Sequence, residues 1–240
     1  MKTGILYGIS VGTGDPELIT VKGLRILQNS NIVAFPSGTD HRLGVAQKII
    51  ASWLKPQQIS LPLDFPYVLD EAQLQQAWTV AAERVWQDLR QGEDIAFACL
   101  GDISFYSTFT YLAQVLQRLH PEAVVKTIPG VSSPMAIASE LGIPLTVNQQ
   151  KMAILPALYS VRELETALDW AEVVVLLKVS SVYPQVWKIL QQRNLLASSA
   201  IVEKATFPAQ KIYRNLQNHA QLNLSYFSVL LIQQPNQLES

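Results

Sequence analysis

The chain is short of cysteine, histidine and charge, and each shortage removes a class of function. A single cysteine, Cys99, cannot close an internal disulfide, so the fold is not held by a secreted-type disulfide framework. Cys99 stands in the apolar run IAFACLG and reads as a core residue. The three histidines, His41, His120 and His219, are scattered with no metal-ligand spacing, so no protein-held metal is expected. Charged residues make up 15% of the chain, the net charge is −1, and no basic run occurs. Binding to nucleic acid demands a basic footprint, and none is present. No uninterrupted apolar stretch approaches the roughly 20 residues that cross a bilayer. The start, MKTGILYGIS, has the pattern of a first strand rather than of a signal peptide. A cytoplasmic protein without membrane or nucleic-acid partners is therefore expected.

What is present is core. Hydrophobic residues are 49% of 240, enough for one large domain or two small ones. In the first half, short apolar runs at 5–11, 31–36, 58–63, 95–100 and 124–128 read as strands, with amphipathic segments between them. The clearest helix is 70–91, with Leu74, Ala77, Trp78, Ala81, Val85 and Leu89 on one face. Another follows IPGVSS, with Ser133 suited to the N-cap, Pro134 to the first turn and Gly142 to the stop. Strands alternating with helices predict parallel pairing in a layered α/β domain. The second half offers strands at 152–156, 173–179, 199–203, 210–214 and 226–233, and helices near 162–168 and 184–192. Its last three strands follow one another with little helix between them, which predicts antiparallel pairs and a mixed sheet. The reading is two α/β domains, 1–122 and 123–240, with the boundary within 119–126.

In open α/β sheets, ligands bind beyond the carboxyl ends of the strands. Four such ends carry unusual sequence: VGTGDPE, AFPSGTD, CLGDISFYST and TIPGVSSP. Glycine there permits positive φ and close backbone approach, and small hydroxyls add hydrogen bonds without bulk. GTGDPE fails two nucleotide templates. A dinucleotide loop wants a third glycine where Glu17 stands, and a Walker loop wants a Gly-Lys-Ser/Thr that is missing. The alternative is a strand-to-helix turn with Asp15 as N-cap and Pro16 at the first helical position. Asp102 could accept from an ammonium or hydroxyl group of a ligand, or cap the next helix. Ser132 and Ser133 could face a ligand or merely start a helix. Lys178 ends an apolar strand and could simply emerge into solvent. No Ser-His-Asp order or nucleophile elbow appears. The five tryptophans read as packing residues.

GTGDPELIT, GDISFYSTFTYL, IPGVSS and VEKAT, in this order, resemble the tetrapyrrole methylases over nearly the whole chain. LYGISVGTGDPELITVKGLRIL, NIVAFP, LPLDFPY and FYSTFTYL are most similar to the members that methylate precorrin-2 at C20. The resemblance implies a homodimer of two-domain subunits, with S-adenosyl-L-methionine held in the cleft between the domains and released as S-adenosyl-L-homocysteine. It implies that Leu100, Gly101, Asp102 and Phe105 line the methionine and ribose part, with Ser107, Thr108, Ser132 and Ser133 in the same site. Lys178 and Ala205 match positions near the adenine or its approach. Gly12, Thr13, Gly14, Asp15 and Pro36 would form the trough for the tetrapyrrole. The implied reaction is a direct displacement in which C20 of an electron-rich macrocycle attacks the sulfonium methyl, as a step of cobalamin biosynthesis. Arg42 and Lys22 are candidates for the ring carboxylates, and no proton acceptor is assigned. Methylation at another corrin position or of uroporphyrinogen III is the alternative in the same family. A non-catalytic nucleotide-binding module is the alternative from another class. Two motifs depart from the family: Gly12-Thr13-Gly14 replaces Gly-Pro-Gly, and Gly101-Asp102-Ile103 replaces Gly-Asp-Pro. Ile103 restores an N–H and frees φ, which predicts a less rigid turn.

Overall fold

The computed structural model describes residues 2–38, 43–66, 68, 70–156 and 161–234. The chain forms two compact units, Met1–Ser132 and Ser133–Ser240. The first contains β1 (Ile5–Ser10), α1 (Val21–Asn29), β2 (Ile32–Pro36), α2 (Val45–Ile50), β3 (Ile59–Leu63), α3 (Glu71–Leu89), β4 (Ile95–Cys99), α4 (Thr108–Leu119) and β5 (Val124–Ile128). Its five strands are all parallel, in the order β3-β2-β4-β1-β5. The expected boundary at 119–126 is corrected by the pairing. β5 lies beside β1, from Ile5 opposite Val124 to Ile9 opposite Ile128, so it belongs to the first sheet. The division falls at Ser132/Ser133 instead.

The strand order places a topological switch between β1 and β4. From β1 the chain crosses toward β2 and β3; from β4 it crosses over β1 to β5. Neighbouring strands whose connections leave in opposite directions open a crevice at their carboxyl ends.

Side chains that alternate along the strands fix which helices cover each face. Leu6, Ile32, Ala34, Ile95 and Phe97 are buried with Ala81, Val85 and Leu89 of α3 and Leu112, Val115 and Leu116 of α4. Each large apolar side chain so enclosed contributes roughly 1.5–3 kcal/mol over an exposed one. Asp70 caps α3, its Oδ1 accepting from the Gln73 N–H at 2.9 Å. Gly8 faces the same core, and Phe109 of α4 fills the space a side chain would take: a Cβ there would sit 2.6 Å from the ring.

The second unit contains α5 (Ser133–Leu141), β6 (Met152–Pro156), α6 (Arg162–Leu168), β7 (Val173–Leu177), α7 (Tyr183–Gln192), β8 (Ser199–Glu203), β9 (Lys211–Arg214) and β10 (Ser228–Gln233). The sheet order is β6-β7-β10-β8-β9. β6 and β7 are parallel and the remaining pairs are antiparallel; of these, β8–β9 joins consecutive strands across a short connection, while β10 pairs with β8 and β7 and not with β9. Val174, Leu176, Ile201, Leu230 and Ile232 form its core with Leu164 and Leu168 of α6 and Val186 and Leu190 of α7. β10 runs against both β7 and β8, so the ends of β7 and β8 and the start of β10 share one edge of the sheet. No helix among the described residues is long and apolar enough to cross a membrane.

Candidate functional site

The carboxyl ends of β1 and β4 meet at the switch point through the backbone. The Val11 N–H donates to the Cys99 carbonyl at 2.9 Å, and the Gly101 N–H to the Gly12 carbonyl at 2.6 Å. Both glycines are left-handed, Gly12 at φ +76° and Gly101 at φ +73°, a conformation in which an L side chain is strained. Their surroundings differ. A Cβ on Gly12 would lie 2.6 Å from Cβ of Leu18, whereas a Cβ on Gly101 would meet nothing within 4 Å. The space beside Gly12 is thus filled by the chain itself, and open space for a ligand lies at Gly101.

Glycine and apolar residues alone would leave this edge loose, and polar side chains tie it. The Asp102 Oδ2 accepts from the Gly130 N–H at 2.7 Å, and its Oδ1 accepts from the Ser104 N–H at 2.9 Å and from the Ser104 hydroxyl. The carboxylate thereby joins the loop after β4 to the loop after β5. Ser10, fully buried at the end of β1, donates to the Ile128 carbonyl at 2.7 Å and accepts from the Ile103 N–H at 2.8 Å. With its proton committed there, its 3.5 Å approach to Asp102 Oδ2 is weak. The expectation of a looser turn at Ile103 is therefore corrected. The N–H that proline would lack is used, and it holds the turn to β1. Ser10, Ser104 and Gly130 were not among the expected site residues. Their signal was a hydroxyl ending an otherwise apolar strand, a serine two residues after an aspartate, and a glycine after a strand-end proline.

Burial pushes the Asp102 carboxyl up, but the hydrogen bonds from the Ser104 hydroxyl, the Gly130 N–H and the Ser104 N–H outweigh it and hold it below the ordinary carboxylate value. A folded-state value below the unfolded one means that ionised Asp102 stabilises the fold. That stabilisation is present above the unfolded value of about 3.9 and is lost as pH falls through the folded one. Chemical denaturation from neutral pH down to the acid limb is expected to show Asp102→Asn less stable than the parent near neutrality and converging with it in acid. Parallel curves at all pH values would remove this role. Cys99, buried beside the same loop, has its thiol pushed up to about 11, chiefly by burial, and makes a 3.0 Å contact with the Ser107 hydroxyl. It remains a packed thiol, in keeping with the core reading.

The other expected residues divide by environment. Ser107 caps α4, its hydroxyl accepting from the Phe109 N–H at 3.1 Å, so this side chain is engaged inward. Thr108 opens α4 and is half-buried. The Phe105 N–H donates to the Asp102 carbonyl, and its ring stands edge-on to exposed Tyr106 at 4.8 Å. Leu100 is half-buried next to Gly101. Gly12, Thr13 and Gly14 are buried and Asp15 is half-buried. Asp15 is an N-cap, as expected, accepting from the Glu17 N–H at 2.8 Å. It caps a single 3-10 turn, Pro16–Leu18, however, and α1 starts later with Thr20 as its own cap. Pro36 closes β2, half-buried, and Lys22 is exposed on α1. Ser132 is buried at the end of the first unit, and Ser133 opens α5 in the second. His41 and Arg42 lie outside the described residues. Among the described residues no group of three or more His, Cys, Asp or Glu side chains could hold a metal ion.

On the edge of the second sheet, Lys178 follows β7 in a left-handed conformation at φ +57°, and Ala205 follows β8 between two more left-handed residues, Lys204 and Thr206. The curled 204–206 segment buries Ala205, whose N–H and C=O take no hydrogen bond among the described residues. Three non-glycine residues in this region on one edge is a concentration of backbone strain of the kind that collects at ligand sites. Lys178 did not emerge into bulk solvent. Its ammonium lies 4.9 Å from the ring centre of Tyr226, a residue that the sequence pattern had not singled out.

The family model described as Tetrapyrrole (Corrin/Porphyrin) Methylases matches residues 5–220. The chain is 30% identical over 230 residues to the cobalt-precorrin-2 C(20)-methyltransferase of Salmonella typhimurium, covering 95% of this chain and 96% of that protein. It is 28% identical over 237 residues to the precorrin-2 C(20)-methyltransferase of a Sinorhizobium species, covering 95% of each. Among solved structures, the uroporphyrin-III C-methyl transferase of Thermus thermophilus, complexed with S-adenosylhomocysteine, superposes with a TM-score of 0.69 at 18% identity. That likeness covers 96% of this chain and 92% of that one and bears on the fold.

Proposed function

The chain belongs to the tetrapyrrole (corrin/porphyrin) methylases, and from that membership we propose that it methylates precorrin-2, or its cobalt-bearing counterpart, at C20 with S-adenosylmethionine as donor. The observation that carries the choice of position is similarity along nearly the whole chain to two relatives named for that reaction. The strand-end geometry supports the cofactor. Gly101 offers open space beside a hydrogen-bonded loop at a topological switch. Ala205 offers a backbone N–H and C=O with no hydrogen bond among the described residues, the donor–acceptor pair that an adenine edge requires.

Bound S-adenosylmethionine supplies a methyl group already activated on a sulfonium. The chain's task is then to hold donor and acceptor in line and to exclude water, and orientation of that kind accounts for much of such an acceleration. In this reading Leu100, Gly101, Asp102 and Phe105 receive the methionine and ribose, and Ser132 and Ser133 are further contacts of the cofactor. Ser107 and Thr108 act by fixing the start of α4, since the Ser107 hydroxyl is spent on its own helix. Ala205 receives the adenine. Gly12 to Asp15 and Pro36 form the wall against which the macrocycle lies. Asp102 works as an acceptor that sets the loop and not as the base, because Gly130 and Ser104 already occupy its oxygens. The working form is proposed to be a cytoplasmic homodimer.

The test is incubation with donor carrying a labelled methyl and with precorrin-2, followed by NMR of the product. Label at C20 is the expected result. Label on another ring carbon would move the chain to a different step of the same family. Absence of both transfer and cofactor binding by calorimetry would sink the enzymatic reading altogether.

A further inference from the structure

Among the described residues, Lys178 is a cation without a counter-ion. It follows β7, whose residues Val173–Leu177 are all buried, and it is itself only half-buried. No ion pair joins Lys178 to an acid among the described residues, and its recorded side-chain contact is the face of Tyr226. Glu203 does not neutralise it. The register sets Ser228 opposite Glu203 and Val229 opposite Leu177, so Glu203 and Lys178 flank the start of β10 on opposite sides. Glu203 is also turned inward and buried, with its Oε1 accepting from the Ser225 N–H at 3.0 Å.

A half-buried ammonium over an aromatic face loses part of its water, and its remaining donors stay available. The left-handed backbone at Lys178 carries a conformational cost of the kind that collects at ligand sites. Both features fit an anion-binding element. We propose that Lys178, steadied by Tyr226, is a subsite for a ligand carboxylate. This inference rests on the methyltransferase reading, which supplies two carriers of that group: the acetate and propionate arms of the tetrapyrrole, and the amino-acid end of the cofactor. A charge-assisted contact of this kind is stronger than a neutral hydrogen bond and weakens as salt rises.

The experiment uses the whole chain, with two probes whose binding needs no turnover: S-adenosylhomocysteine by calorimetry, and uroporphyrin III, a stable polycarboxylate tetrapyrrole, by fluorescence quenching. Each is titrated at low and high ionic strength against the parent, Lys178→Met, Lys178→Arg and Tyr226→Leu. Lys178→Met is expected to weaken one probe about tenfold or more, on the scale of a charge-assisted contact, and to flatten its salt dependence. Lys178→Arg should retain most of the affinity, and Tyr226→Leu should lose part of it. Loss confined to uroporphyrin assigns the subsite to the macrocycle, and loss confined to S-adenosylhomocysteine assigns it to the cofactor. If neither affinity nor either salt slope moves in Lys178→Met, or if Tyr226→Leu binds both probes like the parent, the subsite is overturned. Failure of the C20 reading shows elsewhere, as absence of labelled product from the parent protein.

Discussion

Alanine at position 102 is expected to lower thermal stability and cofactor affinity together. Asp102 is itself buried and holds the Gly130 and Ser104 N–H groups, the first on a half-buried residue and the second on an exposed one. Removing the acceptor leaves the half-buried Gly130 N–H without its partner, at about 1–3 kcal/mol, while the exposed Ser104 N–H returns to water. A net loss of about 1–3 kcal/mol follows, or roughly 3–9 °C in melting temperature for a chain of this size. The loop after β4 would then part from the loop after β5, and Gly101 would no longer be held at the angle that keeps its space open. Affinity for S-adenosylhomocysteine is expected to fall at least tenfold. Differential scanning calorimetry and titration calorimetry on the same preparation separate the contributions. A lower melting temperature with unchanged affinity would leave Asp102 as a strut and remove it from the cofactor site. Asp102→Asn, which keeps an acceptor but not the charge, should fall between the parent and alanine in both measurements.

The strands were the most legible part of the chain. β2, β4 and β7 are short apolar runs bounded by polar or turn-forming residues, and buried strands between helices are written in that way. The domain boundary was not legible. β5, VVKTI, reads as a strand, but with only Ile128 buried its sequence does not show which sheet it joins. What places it in the first sheet is pairing with β1, a contact between residues far apart in the chain. The site shows the same division. That glycines and hydroxyls gather at strand ends could be read directly. Which glycine faces open space could not, because the difference between Gly12 and Gly101 is Leu18, a residue six positions away whose packing only the fold decides. Ser10 was hidden for a related reason: its partners, Ile103 and Ile128, come from two other strand ends. Cation–aromatic pairs such as Lys178 and Tyr226 join residues brought together by an antiparallel pairing, and spacing carries no trace of them.

The second large effect is expected from one methyl group placed at either of two glycines with nearly the same φ. Alanine at Gly12 must accept the left-handed backbone, about 1–2 kcal/mol for an L residue, and must also push aside Leu18, whose Cβ would lie 2.6 Å away. Overpacking of that sort adds roughly 1–3 kcal/mol. Gly12→Ala is therefore expected to fold poorly, and whatever affinity it loses follows from that. Alanine at Gly101 carries the same backbone strain at φ +73° but meets nothing within 4 Å. It should fold with a melting temperature only a few degrees below the parent's, on the scale of about 1–2 kcal/mol. Its Cβ would project into the space assigned to the cofactor. Affinity for S-adenosylhomocysteine should then fall at least tenfold in Gly101→Ala and further in Gly101→Leu, with the labelled-methyl rate falling in step. The two variants thus rank one way by stability and the opposite way by the affinity of the folded protein. Parent-like binding by Gly101→Ala and Gly101→Leu would show that the space beside Gly101 is plain solvent, and the cofactor would have to be sought on another strand end.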